Sequence, residues 1–159
     1  MLFAAPSFEL QDQDGAMFGD RDLRGTPYIA AFIYTNCTSI CPMMSGKMAK
    51  LQQTIPDARV KLVSFTVDPK RDTPAVLKKY AQRLGATDGR WYFLTGTEQQ
   101  MKDVVTGMKV GSADTPLNHS ERFVLVDEEG QVRGTYLSLD DDSMTKLKAD
   151  VESLLRAGK

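Results

Sequence analysis

The chain has 159 residues, 42% hydrophobic and 26% charged, with a formal net charge of −1. That length lets one domain bury a core without cross-links, and we expect a single domain over residues 1–159. The near-neutral balance, with a pI of about 5.8, supplies no basic field for nucleic acid or an anionic lipid surface.

Taken in chain order, residues 8–10 and 16–18 flank the turn Asp12-Gln13-Asp14-Gly15 and predict a small hairpin. Asp22-Leu23-Arg24-Gly25 reads as a loop. Residues 27–34 form a continuous apolar run of strand length, the pattern of a strand buried on both faces. Pro42 suits the first turn of a helix, where its missing N–H would be unpaired anyway. With Met44, Met48 and Leu51 at helical spacing, it predicts a helix from 42 to about 53. Residues 60–67 are a second buried strand, ending at Asp68-Pro69.

Asp72 or Thr73 caps the next helix, with Pro74 just inside it and Gly85 as its stop. Residues 91–94 are a third strand and 98–108 another helix, followed by a looser stretch, 109–118, that leads to His119. Residues 122–126 and 131–136 flank Asp127-Glu128-Glu129-Gly130, a hairpin signal. An amphipathic helix from Asp140 or Asp141 to Leu155 closes the order. Such an alternation predicts a mixed sheet with helices on both faces. The α/β thioredoxin-like fold, preceded by an N-terminal β-hairpin, fits it best.

No run of about eighteen apolar residues appears that would span a bilayer. The opening Met1-Leu2-Phe3-Ala4-Ala5 is too short for a signal peptide and lacks its charged start. It reads either as a natural start or as a cut behind an anchor or signal.

The chemistry concentrates in Tyr34-Thr35-Asn36-Cys37-Thr38-Ser39-Ile40-Cys41-Pro42, which holds the only two cysteines. Three intervening residues place the sulfurs one helical turn apart. The segment lies where a buried strand hands over to a helix, the carboxyl edge at which open α/β sheets bind ligands. Cys41 falls at a helix N-terminus, whose unpaired N–H groups favour a thiolate. Residues four apart in turn geometry meet the Cα distance a disulfide needs. The pair therefore reads as a redox dithiol, a soft-metal site, or both in turn. Zinc fits poorly, because structural zinc takes four protein ligands and the chain offers two cysteines and one histidine, unless Asp or Glu adds another. Two thiolates and an imidazole suit Cu(I) or a trigonal Cu(II) site.

The sequence resembles the Sco/SenC family of copper-binding thioredoxin-like proteins, through four segments in the family order. These are Cys37-Thr38-Ser39-Ile40-Cys41-Pro42 (CxxxCP), Val67-Asp68-Pro69-Lys70-Arg71-Asp72-Thr73-Pro74 (DPxxDTP), Trp91-Tyr92-Phe93-Leu94-Thr95-Gly96, and His119-Ser120 followed by Leu125-Val126-Asp127, Gly130 and Arg133-Gly134-Tyr136. The resemblance implies that Cys37, Cys41 and His119 bind copper, as Cu(I), Cu(II) or both, one per chain. It also implies a role in assembling the binuclear copper centre of cytochrome c oxidase, as a copper carrier, a thiol reductant, or both. The implied partners are the oxidase copper-site subunit or another copper chaperone, and the protein is expected to be a monomer. Family members are tethered to a membrane and face the bacterial periplasm or the mitochondrial intermembrane space; no tether is visible here. Asn118 stands where many relatives have Asp, and Thr38 where proline is common.

Asp68 reads as a group that orients a ligand or docking partner, or as a turn former with Pro69. Asp72 reads as a helix cap rather than a catalytic group, and Asp140-Asp141-Asp142 as a solvated helix start. Met44 shares a helical face with Met48 and Leu51 and belongs to the core, whereas Met43 reads as part of a docking surface. A thiol–disulfide oxidoreductase that needs the dithiol but not His119 is the main alternative. A peroxiredoxin-like peroxidase is weaker, because Tyr34 stands where its motif has proline. A copper sensor completes the set.

Overall fold

The computed structural model describes residues 3–36, 40–55, 59–108 and 122–157. Among these residues, eight strands and four α-helices follow in the order β1 (Phe3–Ala4), β2 (Glu9–Gln11), β3 (Met17–Gly19), β4 (Tyr28–Ile33), α1 (Ile40–Thr54), β5 (Lys61–Thr66), α2 (Pro74–Leu84), β6 (Trp91–Leu94), α3 (Glu98–Met108), β7 (Arg122–Val126), β8 (Gln131–Leu137) and α4 (Asp141–Ala157). A six-stranded sheet runs β1-β8-β7-β4-β5-β6, and β2 and β3 form a separate hairpin with Leu10 opposite Phe18. The neighbours β4, β5 and β6 are parallel, while β7 and β8 join β4 as an antiparallel hairpin. This is the thioredoxin-like arrangement with an N-terminal hairpin.

All six residues of β4 are buried, as its unbroken apolar run requires of a central strand. Alternation then divides the core. Ile29, Ala31 and Ile33 face one side, where they meet Met44, Met48 and Leu51 of α1, Leu77 and Tyr80 of α2, and Leu147 and Val151 of α4. Ala30 and Phe32 face the other, with Phe8, Leu10 and Phe18 of the hairpin and Met101, Val104 and Met108 of α3. The helical spacing of Met44, Met48 and Leu51 is therefore core packing, each at most 2% exposed.

The exposed edge of β6 is closed by a side chain. Gln13 is buried at the tip of the hairpin; its Oε1 accepts the Phe93 N–H at 3.0 Å and its Nε2 donates to the Trp91 carbonyl at 3.3 Å. A planar amide with one acceptor and one donor thus occupies the place of a neighbouring strand. One step along, the backbones of Gln11 and Thr95 exchange both N–H···O bonds at 2.9 Å.

Two parts of the expected layout change. The stretch read as a loop at residues 22–25 begins inside a short 3-10 helix, Asp20–Leu23. Asp22 reaches back to accept the Gly19 N–H at 2.8 Å, and the helix buries Leu23. Strand β1 was not foreseen; its two residues, too few for any periodicity, are paired with Val132 and Gln131 at the far edge of the sheet. Among the described residues no helix is long and apolar enough to cross a membrane.

Candidate functional site

The site forms at the carboxyl ends of β4, β5 and β6. Strand β4 ends at Ile33, whose carbonyl still accepts the Val67 N–H at 2.8 Å, so the two chains leave the sheet side by side. Tyr34, Thr35 and Asn36 follow, and α1 begins at Ile40. Cys41 therefore occupies the second position of α1 by its backbone, and Pro42 the third, inside the first turn. The helix starts two residues earlier than Pro42, within the reach expected of an N-terminal proline. Met43 is 58% exposed while Met44 is fully buried. Cys37 and His119 lie outside the described residues, as does the stretch 109–118. Among the described residues no three His, Cys, Asp or Glu side chains come together as a metal-binding group.

The dominant polar feature at this edge is Asp72, which is fully buried. Its Oδ2 accepts the Thr35 N–H at 3.0 Å and the Thr66 hydroxyl at 2.7 Å, and its Oδ1 accepts the Thr35 hydroxyl. Thr66 Oγ1 in turn accepts the Asp68 N–H at 3.0 Å. A buried carboxylate is tolerated when such donors replace its lost water. Of the two candidate caps for α2, Thr73 is the one used: its backbone is extended and its side chain accepts the Val76 N–H at 3.4 Å. The expectation for Asp72 as a helix cap is thereby corrected. With Pro74 as first helical residue, the cap position falls on Thr73, and that leaves the Asp72 carboxylate to hold the turn after β4. The adjacency of Asp72, Thr73 and Pro74 carried that signal, since one helix start uses only one of two neighbouring caps. What lacked any signal was the partner, Thr35, 37 residues away in sequence.

Asp68 forms the turn expected of it, its carbonyl accepting the N–H groups of Arg71 at 3.2 Å and Asp72 at 3.0 Å. Its carboxylate lies 3.5 Å from Arg71 Nε, a partly exposed pair of small energetic weight. Asp68 also lines a pocket of about 90 Å³ together with Val67, Pro69, Met101 and Lys102. Lys70, between the two aspartates, reaches Glu98 at 2.9 Å and ties this loop to the start of α3. That hydrogen bond holds the Glu98 carboxyl below its ordinary range and the Lys70 ammonium above its own. A buried hydrogen bond of 2.8 Å between Ser45 and Tyr80 joins α1 to α2 behind the site.

The match to known families decides the relationship, since the model of SCO1/SenC covers residues 3–156. The chain belongs to the SCO1/SenC family. A SCO1 protein homolog of Bacillus subtilis is 32% identical over 92% of this chain and 80% of its own length. Among solved structures, a SCO1/SenC family lipoprotein from Bacillus anthracis superimposes with a TM-score of 0.87 at 30% identity, covering 98% of this chain and 96% of that one. BsSco is described as a member of the Sco family of cytochrome c oxidase assembly proteins in which a disulfide switch was identified. It gives 0.84 at 29% identity, over 97% of this chain and 94% of that one. Yeast Sco1 with copper bound gives 0.75 at 28% identity, over 96% of this chain and 93% of that one.

Proposed function

We propose that this protein binds copper through Cys37, Cys41 and His119 and hands it to a copper site of cytochrome c oxidase during assembly. The observation that carries the reading is the start of α1 at Ile40, directly beyond the carboxyl edge of β4. It puts Cys41 in the first helical turn, where the helix dipole favours a thiolate. Membership of the SCO1/SenC family and the copper-bound yeast Sco1 support copper as the cargo.

In this reading the two thiolates supply most of the affinity for Cu(I), and the imidazole of His119 completes a three-coordinate soft site. Copper leaves by stepwise ligand exchange with thiols of the acceptor, which is the oxidase copper-site subunit or another copper chaperone. Oxidation of Cys37 and Cys41 to a disulfide removes both thiolates, so the redox state gates binding. Asp68 and Met43, at the edge of the turn and on the exposed face of α1, are assigned to docking or to orienting the site. The lipoprotein from B. anthracis favours a membrane-tethered location on the periplasmic side, or in the intermembrane space for a eukaryotic source.

The disulfide switch described for BsSco favours a second reading, a thiol–disulfide reductant of the target cysteines. The two are separated by comparing copper uptake with disulfide exchange in His119→Ala. Carriage of copper predicts loss of the metal with exchange spared. If exchange persists and wild-type protein takes up no copper, the reductant reading replaces the first.

A further inference from the structure

We infer that Asp72 is a positioning residue for the dithiol, acting through Thr35. The inference rests on the reading above that Cys37 and Cys41 are the working thiols. Thr35 stands two residues before Cys37, at the point where the chain leaves β4. Both of its polar handles, the backbone N–H and the hydroxyl, end on the carboxylate of Asp72.

Capping the following helix is not the task of this carboxylate. Thr73 already caps α2. Among the described residues the donors that reach Asp72 are neutral, so the group is not one half of an ion pair. Through Thr66 and the Asp68 N–H, the same carboxylate also fixes the turn after β5. One buried group thus sets the exits of two adjacent parallel strands against each other.

The consequence falls on the cysteine pair. A disulfide forms readily only when two sulfurs are held within narrow geometric limits. The backbone of Cys41 belongs to α1, and Cys37 follows the anchored Thr35 by two residues in sequence. Through Thr35, Asp72 therefore raises the effective concentration of one thiol at the other.

The test is the glutathione redox equilibrium of the metal-free protein. There the Cys37–Cys41 S–S bond breaks, takes up two electrons and two protons, and two glutathione thiols become one glutathione disulfide. Thr35→Val removes one donor and keeps the side-chain shape. It should lower the equilibrium constant for forming the protein disulfide about tenfold, or about 30 mV. Thr35→Ser should restore the wild-type value, and Asp72→Ala, where it folds, should match or exceed the valine effect. Gln13→Ala, on the outer edge of β6, should lose stability without moving the equilibrium.

A wild-type equilibrium in Thr35→Val, or an equal shift in Gln13→Ala, would overturn the inference. A wild-type protein that forms no disulfide and takes up no Cu(I) would instead overturn the reading beneath it.

Discussion

Gln13 and Phe93 lie 80 residues apart in sequence and are joined by a hydrogen bond of 3.0 Å between the Gln13 side-chain oxygen and the Phe93 N–H. With its second bond to the Trp91 carbonyl, the amide finishes β6, the edge strand of the main sheet among the described residues. Both backbone groups are buried with residues that are themselves at the core. Replacing Gln13 with Ala strands a donor and an acceptor, and stability should fall by about 1–3 kcal/mol. Urea unfolding checks it: the midpoint should drop with the slope unchanged. A midpoint equal to that of wild type would mean that water or a shifted neighbour replaces the amide.

Gly134 and Tyr136 make a second pair with a visible cost. They stand two apart in β8, on the same face. A Cβ at Gly134 would lie 2.6 Å from the Tyr136 hydroxyl, which donates to Asp150 at 2.6 Å and so ties β8 to α4. Gly134→Ala should cost about 1–3 kcal/mol by overpacking. In the background of Tyr136→Phe, where the hydroxyl is gone, the loss should be smaller. Additive losses in that double-mutant cycle would show that the two positions do not compete for the same space.

Alkaline pH should reveal Tyr28 and Tyr136. Burial pushes the Tyr28 phenol well above its ordinary value. Burial and the hydrogen bond to Asp150 do the same for Tyr136. A raised folded-state pKa gives stability that is present in full below the unfolded value of about 10 and is lost as pH climbs toward the folded value. Absorbance of tyrosinate should therefore show a late phase above that of free tyrosine, together with loss of folded structure. Tyr28→Phe and Tyr136→Phe should each shrink that phase; if neither does, other tyrosines produce it.

The fold was readable wherever a pattern repeated. The apolar run around β4, the spacing of Met44, Met48 and Leu51, and the proline and glycine bounding α2 each act over a few neighbouring residues, and all reappear in place. Strand β1 has two residues and owes its existence to β8, 127 residues or more away, so nothing local marks it. The 3-10 helix at Asp20–Leu23 depends on one side chain turning back to Gly19. At the site, the position of Cys41 in the first turn of α1 followed from Pro42. The clasp between Thr35 and Asp72 did not, because a buried carboxylate beside a cap residue reads as a cap until the strand exits are brought together. Cys37 and His119, named from the cysteine spacing and the family resemblance, fall outside the described residues.

The central claim is a copper site made of two thiolates and an imidazole, and a Cu(I) and Cu(II) titration of fully reduced protein addresses it most directly. Thiolate-to-copper charge-transfer absorption is followed for wild type, His119→Ala and Cys37→Ser. The account predicts saturation at about one copper per chain, with affinity at least about tenfold weaker in His119→Ala, since a lost ligand costs no less than a lost supporting contact, and no thiolate band of comparable strength in Cys37→Ser. Reduced wild-type protein that takes up no copper, or His119→Ala that binds as tightly as wild type, would contradict it.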